Sequence, residues 1–315
     1  MPQKLIHGIL NNDHGSISKA VTIIENNQSS ANSILKNIHQ YARDSLRIGI
    51  TGPPGAGKST ITNKLIGLFL KRKKTVGVIA VDPTSPFSGG SLLGDRIRMN
   101  KYIWDDRVFV RSMASNGDLG GLARKSQEVG DILAASGKDY IIYETVGVGQ
   151  SEHEIVKAAD LCIVILVPES GDEIQMMKAG LIEIADLFVI NKSDRNGANR
   201  LSSVLKNVLH HFSQDGKIEP PIFNTIAAEN KGIEKFFHGL ESHLIDMSKK
   251  GYLNDKRLNR YRKRVFNLVR DKLEISFWTN KKIDILEKST RRIEQITIAP
   301  HLLANELLNK TKNES

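Results

Sequence analysis

The stretch from 46 to 70, LRIGITGPPGAGKSTITNKLIGLFL, decides the fold. It reads as a short apolar strand from Leu46 to Thr51, a loop of small residues, and a helical pattern from Ile61 to Leu70. Within the loop, Gly52, Gly57, Lys58 and Ser59 fit G-x-x-x-x-G-K-[ST]. The small residues Gly52, Pro53, Pro54, Gly55, Ala56 and Gly57 let the backbone close around a polyphosphate, so that successive N–H groups point at its oxygens. The helix that follows adds its positive N-terminal end, beginning with Lys58, Ser59 and Thr60. Lys58 is placed to reach the β- and γ-phosphates, and Ser59 offers a hydroxyl to Mg²⁺.

Outward from this loop, further Ile- and Val-rich runs occur at Thr75 to Val81, Asp139 to Glu144, Leu161 to Val167 and Leu187 to Ile190, separated by stretches long enough for helices. That alternation predicts an α/β fold of the P-loop NTPase kind, a mainly parallel sheet flanked by helices. Before it, residues 1–45 read as short helices. Asp13 to Ser16 supplies cap chemistry ahead of Ile17, Val21 and Ile24, and Ser30 or Ser33 caps a segment carrying Ile34, Leu35, Ile38 and Tyr41. The P-loop domain is assigned to 46–245 and a helical C-terminal arm to 246–315, with an apolar stripe of Leu258, Tyr261, Val265, Leu268 and Leu273.

Composition narrows the function classes. The 315 residues are 40% hydrophobic and 25% charged, as in ordinary globular chains. The single Cys162 excludes a disulfide scaffold and any Cys-x-x-Cys site, and makes a reducing compartment the simplest context. The longest wholly apolar run, Leu161 to Val167, is far short of the ~18 residues of a membrane span, and the N-terminus does not read as a secretory signal. The expectation is a cytoplasmic protein without a membrane partner. Net charge is +10, but 17 Lys and Arg against 8 Asp and Glu lie between Lys249 and Ser315, while the preceding 248 residues carry 28 against 27. The excess belongs to the arm, whose aromatics Tyr252, Tyr261, Phe266, Phe277 and Trp278 mostly follow helical spacing or flank the stripe. That favours packing over base stacking, so no nucleic-acid partner is expected.

The remaining motifs fall at strand ends, where α/β folds hold their ligands. Asp82 ends one strand as a candidate ligand for Mg²⁺ or water. Glu144 ends another and opens Glu144-Thr145-Val146-Gly147, a D-x-x-G layout with Glu for Asp, in which Gly147 can offer its N–H to a γ-phosphate. Asn191, Lys192 and Asp194 form N-K-x-D after an apolar strand; Asp194 accepts from the guanine ring N–H and amino group, which adenine cannot supply. These motifs together point to GTP over ATP. A base-side loop is expected over Asn224 to Ala228, with Ile226, Ala227 and Ala228 near the base. Val148 stands where a fast GTPase has a residue that orients water, so slow intrinsic hydrolysis stimulated by a partner is expected.

The runs VDPTSPFSGGSLLGDRIRM (81–99), SMASNGDLGGLARKS (112–126), ETVGVGQSE (144–152) and VINKSD resemble the methylmalonyl-CoA mutase-associated GTPases, the MeaB/ArgK/MMAA family. The resemblance covers nearly the whole chain. It implies a GTPase chaperone, cycling between GTP and GDP with Mg²⁺, that gates adenosylcobalamin loading into an acyl-CoA mutase and protects it. It also implies an acidic set of Asp82, Asp95 and Glu144 around metal and attacking water, with Lys58, Asp95 and Glu144 catalytic. Switch segments near 83–98, 145–156 and 168–178, and a homodimer through the arm, follow from it too. Arg96 and Arg98 are candidates for transition-state charge, and Asp172 and Lys178 for talk with the mutase. Rival readings are a metal-delivery GTPase of the same group, for which only His153 beside Glu152 and Glu154 is a suggestive grouping, and a kinase acting on amino-acid-binding transport proteins.

Overall fold

The structure is a computed structural model, and it describes residues 2–42, 44–82, 100–102, 104–114, 119–145, 159–168, 180–212, 218–293, 296 and 298–312. The chain divides into two compact units, Met1–Leu253 and Asn254–Ser315.

The first unit is built on seven strands: β1 (Leu46–Thr51), β2 (Val76–Asp82), β3 (Val108–Ala114), β4 (Tyr140–Thr145), β5 (Leu161–Leu166), β6 (Leu187–Asn191) and β7 (Ile222–Thr225). They form one sheet in the order β3-β2-β4-β1-β5-β6-β7, with every neighbouring pair parallel. The central strands are apolar on both sides because both faces of the sheet are covered. On one face, Ile48, Ile50, Val78, Ile142 and Ile163 pack with the helices α4 (Lys58–Lys71) and α8 (Ile233–Lys249). On the other, Ile79, Val81, Ile141 and Tyr143 meet α1 (Pro2–Leu10), α2 (His14–Glu25), α3 (Ala31–Ile38) and α5 (Leu119–Ala135). The β5–β6 part of that face packs with α6 (Leu181–Ile184) and α7 (Ala198–Phe212).

The N-terminal helices therefore complete the core of the first unit. Asp13 caps α2 by accepting from the Ser16 backbone N–H at 2.8 Å, as expected from the sequence. Glu25, at the end of α2, pairs with Arg111 of β3 through both carboxylate oxygens, and its carbonyl accepts from Lys125 of α5 at 2.7 Å. At the amino end of β1, buried Arg47 meets Asp131 at 2.5 Å, and its backbone N–H donates to Asp160 at 2.9 Å. Burial opposes the Arg47 charge, but Tyr143, Asp131 and Asp160 more than offset this and raise its pKa.

The second unit holds most of α9 (Tyr252–Phe277), with α10 (Asn280–Ser289) and α11 (Pro300–Lys312). Helix α9 buries no residue; Leu258, Tyr261, Val265, Phe266, Val269, Leu273 and Ile275 are 43–77% exposed. Lys282 of α10 lies over the Phe277 ring, 3.9 Å from its centroid. Among the described residues no helix is long and apolar enough to cross a membrane.

Candidate guanine-nucleotide site

The loop between β1 and α4 takes a shape that only its glycines allow. Gly52 has φ 148° and a Cβ there would sit 2.1 Å from the Ile165 carbonyl oxygen of β5. Gly57, at φ 92°, precedes the first turn of α4, and a Cβ would meet the Asn191 side-chain amide at 2.3 Å. A side chain at either position would break the loop or displace its neighbours. Lys58 is buried and donates to the Gly52 and Pro53 carbonyls at 2.7 and 2.9 Å, so its ammonium lies within the curve of the loop. Pro53, Pro54, Gly55 and Ala56 form the turn between, and Thr60 follows in α4.

Beside the loop, the Ser59 hydroxyl donates to a Glu144 carboxylate oxygen at 2.5 Å. A hydroxyl and a carboxylate in contact at the carboxyl edge of a sheet are two hard oxygen donors, the set that suits Mg²⁺. Glu144 stands level with Ile50 of β1 and Ala80 of β2. Next to it, Thr145 donates to the Thr51 hydroxyl at 3.1 Å, tying β4 to β1 at the mouth of the loop. Asp82 ends β2 opposite Ala114, one residue beyond the Val81–Thr145 pair. Asp95, Arg96, Arg98, Gly147, Val148, His153, Asp172 and Lys178 lie outside the described residues.

On the other flank, Asn191 ends β6 and braces two loops at once. Its amide donates to the Ala56 carbonyl at 2.8 Å, and its side-chain oxygen accepts from the Thr225 hydroxyl at 3.1 Å and the Ala227 backbone N–H at 3.0 Å. The N-K-x-D asparagine is thus fully engaged in holding the phosphate loop to the base-side loop. Lys192 adopts a left-handed φ of 54°, and the Ser193 N–H donates to the Thr225 carbonyl at 3.1 Å. That turn leaves Asp194 exposed at the rim with Ile226, Ala227 and Ala228 alongside β7. Ala227 contributes a backbone N–H, for which its side chain is immaterial.

The sequence gives no sign of Lys231 as a part of this rim. It pairs with Glu229 at 2.7 Å, a bond that raises its pKa, and it lies within electrostatic reach of Asp194. The bridge between Ile226 and Lys231 places it there. Such a contact links residues through a turn and leaves no periodic trace.

The family profile described as Methylmalonyl Co-A mutase-associated GTPase MeaB matches residues 17–282. The chain belongs to this family. It is a P-loop GTPase, and its 40% identity to a protein of Pyrococcus abyssi named as a GTPase covers 98% of this chain and 97% of that one. The mouse protein named methylmalonic aciduria type A homolog, mitochondrial, is 30% identical over 98% of this chain and 79% of its own length. Among solved structures, one described as the crystal structure of LAO/AO transport system kinase superposes with a TM-score of 0.74 at 24% identity, covering 99% of this chain and 97% of that one. The likeness confirms the fold: a parallel sheet with a P-loop, flanked by helices.

Proposed function

We propose that this MeaB-family GTPase is a nucleotide-gated chaperone for an adenosylcobalamin-dependent acyl-CoA mutase, with methylmalonyl-CoA mutase the first candidate. The observation that carries the reading is the match to a family described as mutase-associated, running from Ile17 to Lys282. The name of the mouse relative points the same way. The protein would gate cofactor loading and protect the mutase.

In this reading the backbone N–H groups of Gly52 to Gly57 and the N-terminus of α4 bind the GTP phosphates, and Lys58 leaves the loop carbonyls for the β- and γ-phosphates. Ser59, Asp82, Asp95 and Glu144 hold Mg²⁺, which would neutralise charge developing on the phosphates. The 2.5 Å Ser59–Glu144 contact supports that placement. Asp95 and Glu144 also place water for in-line attack, and Gly147 reports the γ-phosphate. Asp194 reads guanine, with Lys192 and Ile226 to Ala228 framing the ring and Asn191 keeping frame and phosphate loop in register. Hydrolysis is slow alone, because Val148 cannot orient water, and is stimulated by the mutase, which completes the site.

The exposed apolar residues of α9 support self-association through the arm as a homodimer, and cytoplasmic location fits the single buried Cys162. The test is affinity capture on the immobilised protein loaded with a non-hydrolysable GTP analogue or GDP. Retention of purified adenosylcobalamin mutase that depends on the nucleotide is expected. Equal retention with both nucleotides, or none, would count against gating.

A further inference from the structure

The run beginning at Ser112 carries part of the family resemblance yet has no role in the site described above. Its first residue faces that site. Across the sheet, Ser112 of β3 is level with Ala80 of β2, and Ala80 is level with Glu144 of β4. The three form one row spanning about 10 Å, at roughly 4.8 Å per strand. All point to the face packed by α4, since Val108, Val78 and Ile142 of the same strands do so and side chains alternate.

Helix α4 runs antiparallel along this face. Ser59 bonds to Glu144 at its start, and ten residues later Phe69 stacks on Tyr140 with ring centroids 3.8 Å apart. Ten helical residues rise about 15 Å and four strand residues about 13 Å, so helix and strand keep pace. Thr62 lies on the sheet-facing stripe of α4, one turn beyond Ser59, and is 0% exposed. The neighbouring Asn63 carbonyl accepts from Tyr102, just before β3, so this side of α4 is turned toward the β2–β3 edge. The hydroxyls of Thr62 and of Ser112, itself 8% exposed, are both buried without a hydrogen-bond partner. Buried hydroxyls are ordinarily satisfied, and the side chain between Ser112 and Glu144 in the row, Ala80, adds only a methyl.

We propose that Thr62 and Ser112 are positioning residues that hold ordered water behind the Ser59–Glu144 pair and thereby fix the Glu144 carboxylate for the metal. A hydroxyl both donates and accepts, so each can pass a hydrogen bond through water to a carboxylate oxygen. Outer partners of this kind orient the ligand and raise metal affinity about 10- to 100-fold. The inference rests on the reading of Ser59 and Glu144 as Mg²⁺ ligands.

The test is Mg²⁺ titration of the full-length protein bound to fluorescently labelled GDP, with GDP affinity in EDTA as the control. Thr62→Val, which removes the hydroxyl at constant shape, should raise the half-saturating Mg²⁺ about tenfold and change GDP affinity in EDTA less than twofold. Ser112→Ala should shift it in the same direction, and Thr62→Ser should restore the wild-type curve. If Ser59→Ala shifts the curve and Thr62→Val does not, the positioning role is wrong. If Ser59→Ala itself leaves the curve unchanged, the metal assignment fails and this inference with it. Should Thr62→Val fold poorly, Ser112→Ala and Thr62→Ser still decide the matter, because loss of Mg²⁺ response must follow the hydroxyl and not the methyl.

Discussion

The nucleotide unit and the C-terminal arm treat charge and apolar surface in opposite ways. The first handles a polyanion with almost no net charge: 28 basic against 27 acidic residues precede Lys249. In the proposed site it relies on placement, with backbone N–H groups around the loop, one buried lysine, and an asparagine that ties two loops together. The stretch from Lys249 to Ser315 carries 17 basic against 8 acidic residues, yet α9 within it leaves a set of large apolar side chains open to solvent. Net charge is therefore a poor guide to where a phosphate ligand binds. The uncovered apolar stripe of the arm is what the proposed self-association would bury.

The comparison can be broken first at Asp194. If base choice rests on one placed carboxylate, Asp194→Ala should lower the preference for GTP over ATP about 10³-fold, measured by competition binding. Next, Lys58→Ala should slow single-turnover GTP hydrolysis about 10²- to 10³-fold and leave the melting temperature within a few degrees, since its hydrogen bonds to the Gly52 and Pro53 carbonyls lie within its own loop.

A smaller effect concerns a cation that the nucleotide unit buries far from its phosphate loop. Lys138 precedes β4, its ammonium donates to the Asp106 carbonyl at 3.1 Å, and burial lowers its pKa to about 8 despite Asp105 and Asp106 nearby. The folded state then holds fewer protons than the unfolded chain between pH 8 and the ordinary lysine value near 10.5. Stability should rise with pH across that window, by about 1–3 kcal/mol after allowing for partial solvation. Urea unfolding at pH 8 and 10 measures the rise, and Lys138→Met should flatten it.

The smallest effects on catalysis belong to the arm. Val265→Asp with Val269→Asp should weaken self-association at least tenfold in sedimentation equilibrium and leave basal hydrolysis within twofold. Neutralising the exposed Arg262 and Lys263 to Gln should alter either quantity less than twofold, because exposed charges contribute little.

How far the sequence could be read follows the same contrast. The five central strands announced themselves as apolar runs because they are buried on both faces. The two edge strands, β3 and β7, did not. In β3 the run VFVRSMA places Arg111 and Ser112 in mid-strand, one pairing with Glu25 and the other facing α4. In β7 only four residues follow Pro220 and Pro221, too few for a period to show. The phosphate loop and N-K-x-D were legible because their chemistry is local. That Asn191 is committed to bracing loops, that Gly57 must be glycine to clear Asn191, and that Lys231 joins the rim were not, since each depends on contacts across distant positions.

The coupling of GTP hydrolysis to a mutase is tested most directly by the turnover rate of the purified protein with and without an adenosylcobalamin-dependent acyl-CoA mutase at saturating GTP. Slow turnover alone and a rise of about 10-fold or more on adding the mutase are predicted, with the rise abolished in Lys58→Ala. Many turnovers per second without the mutase, or a rate the mutase leaves unchanged, would contradict the account.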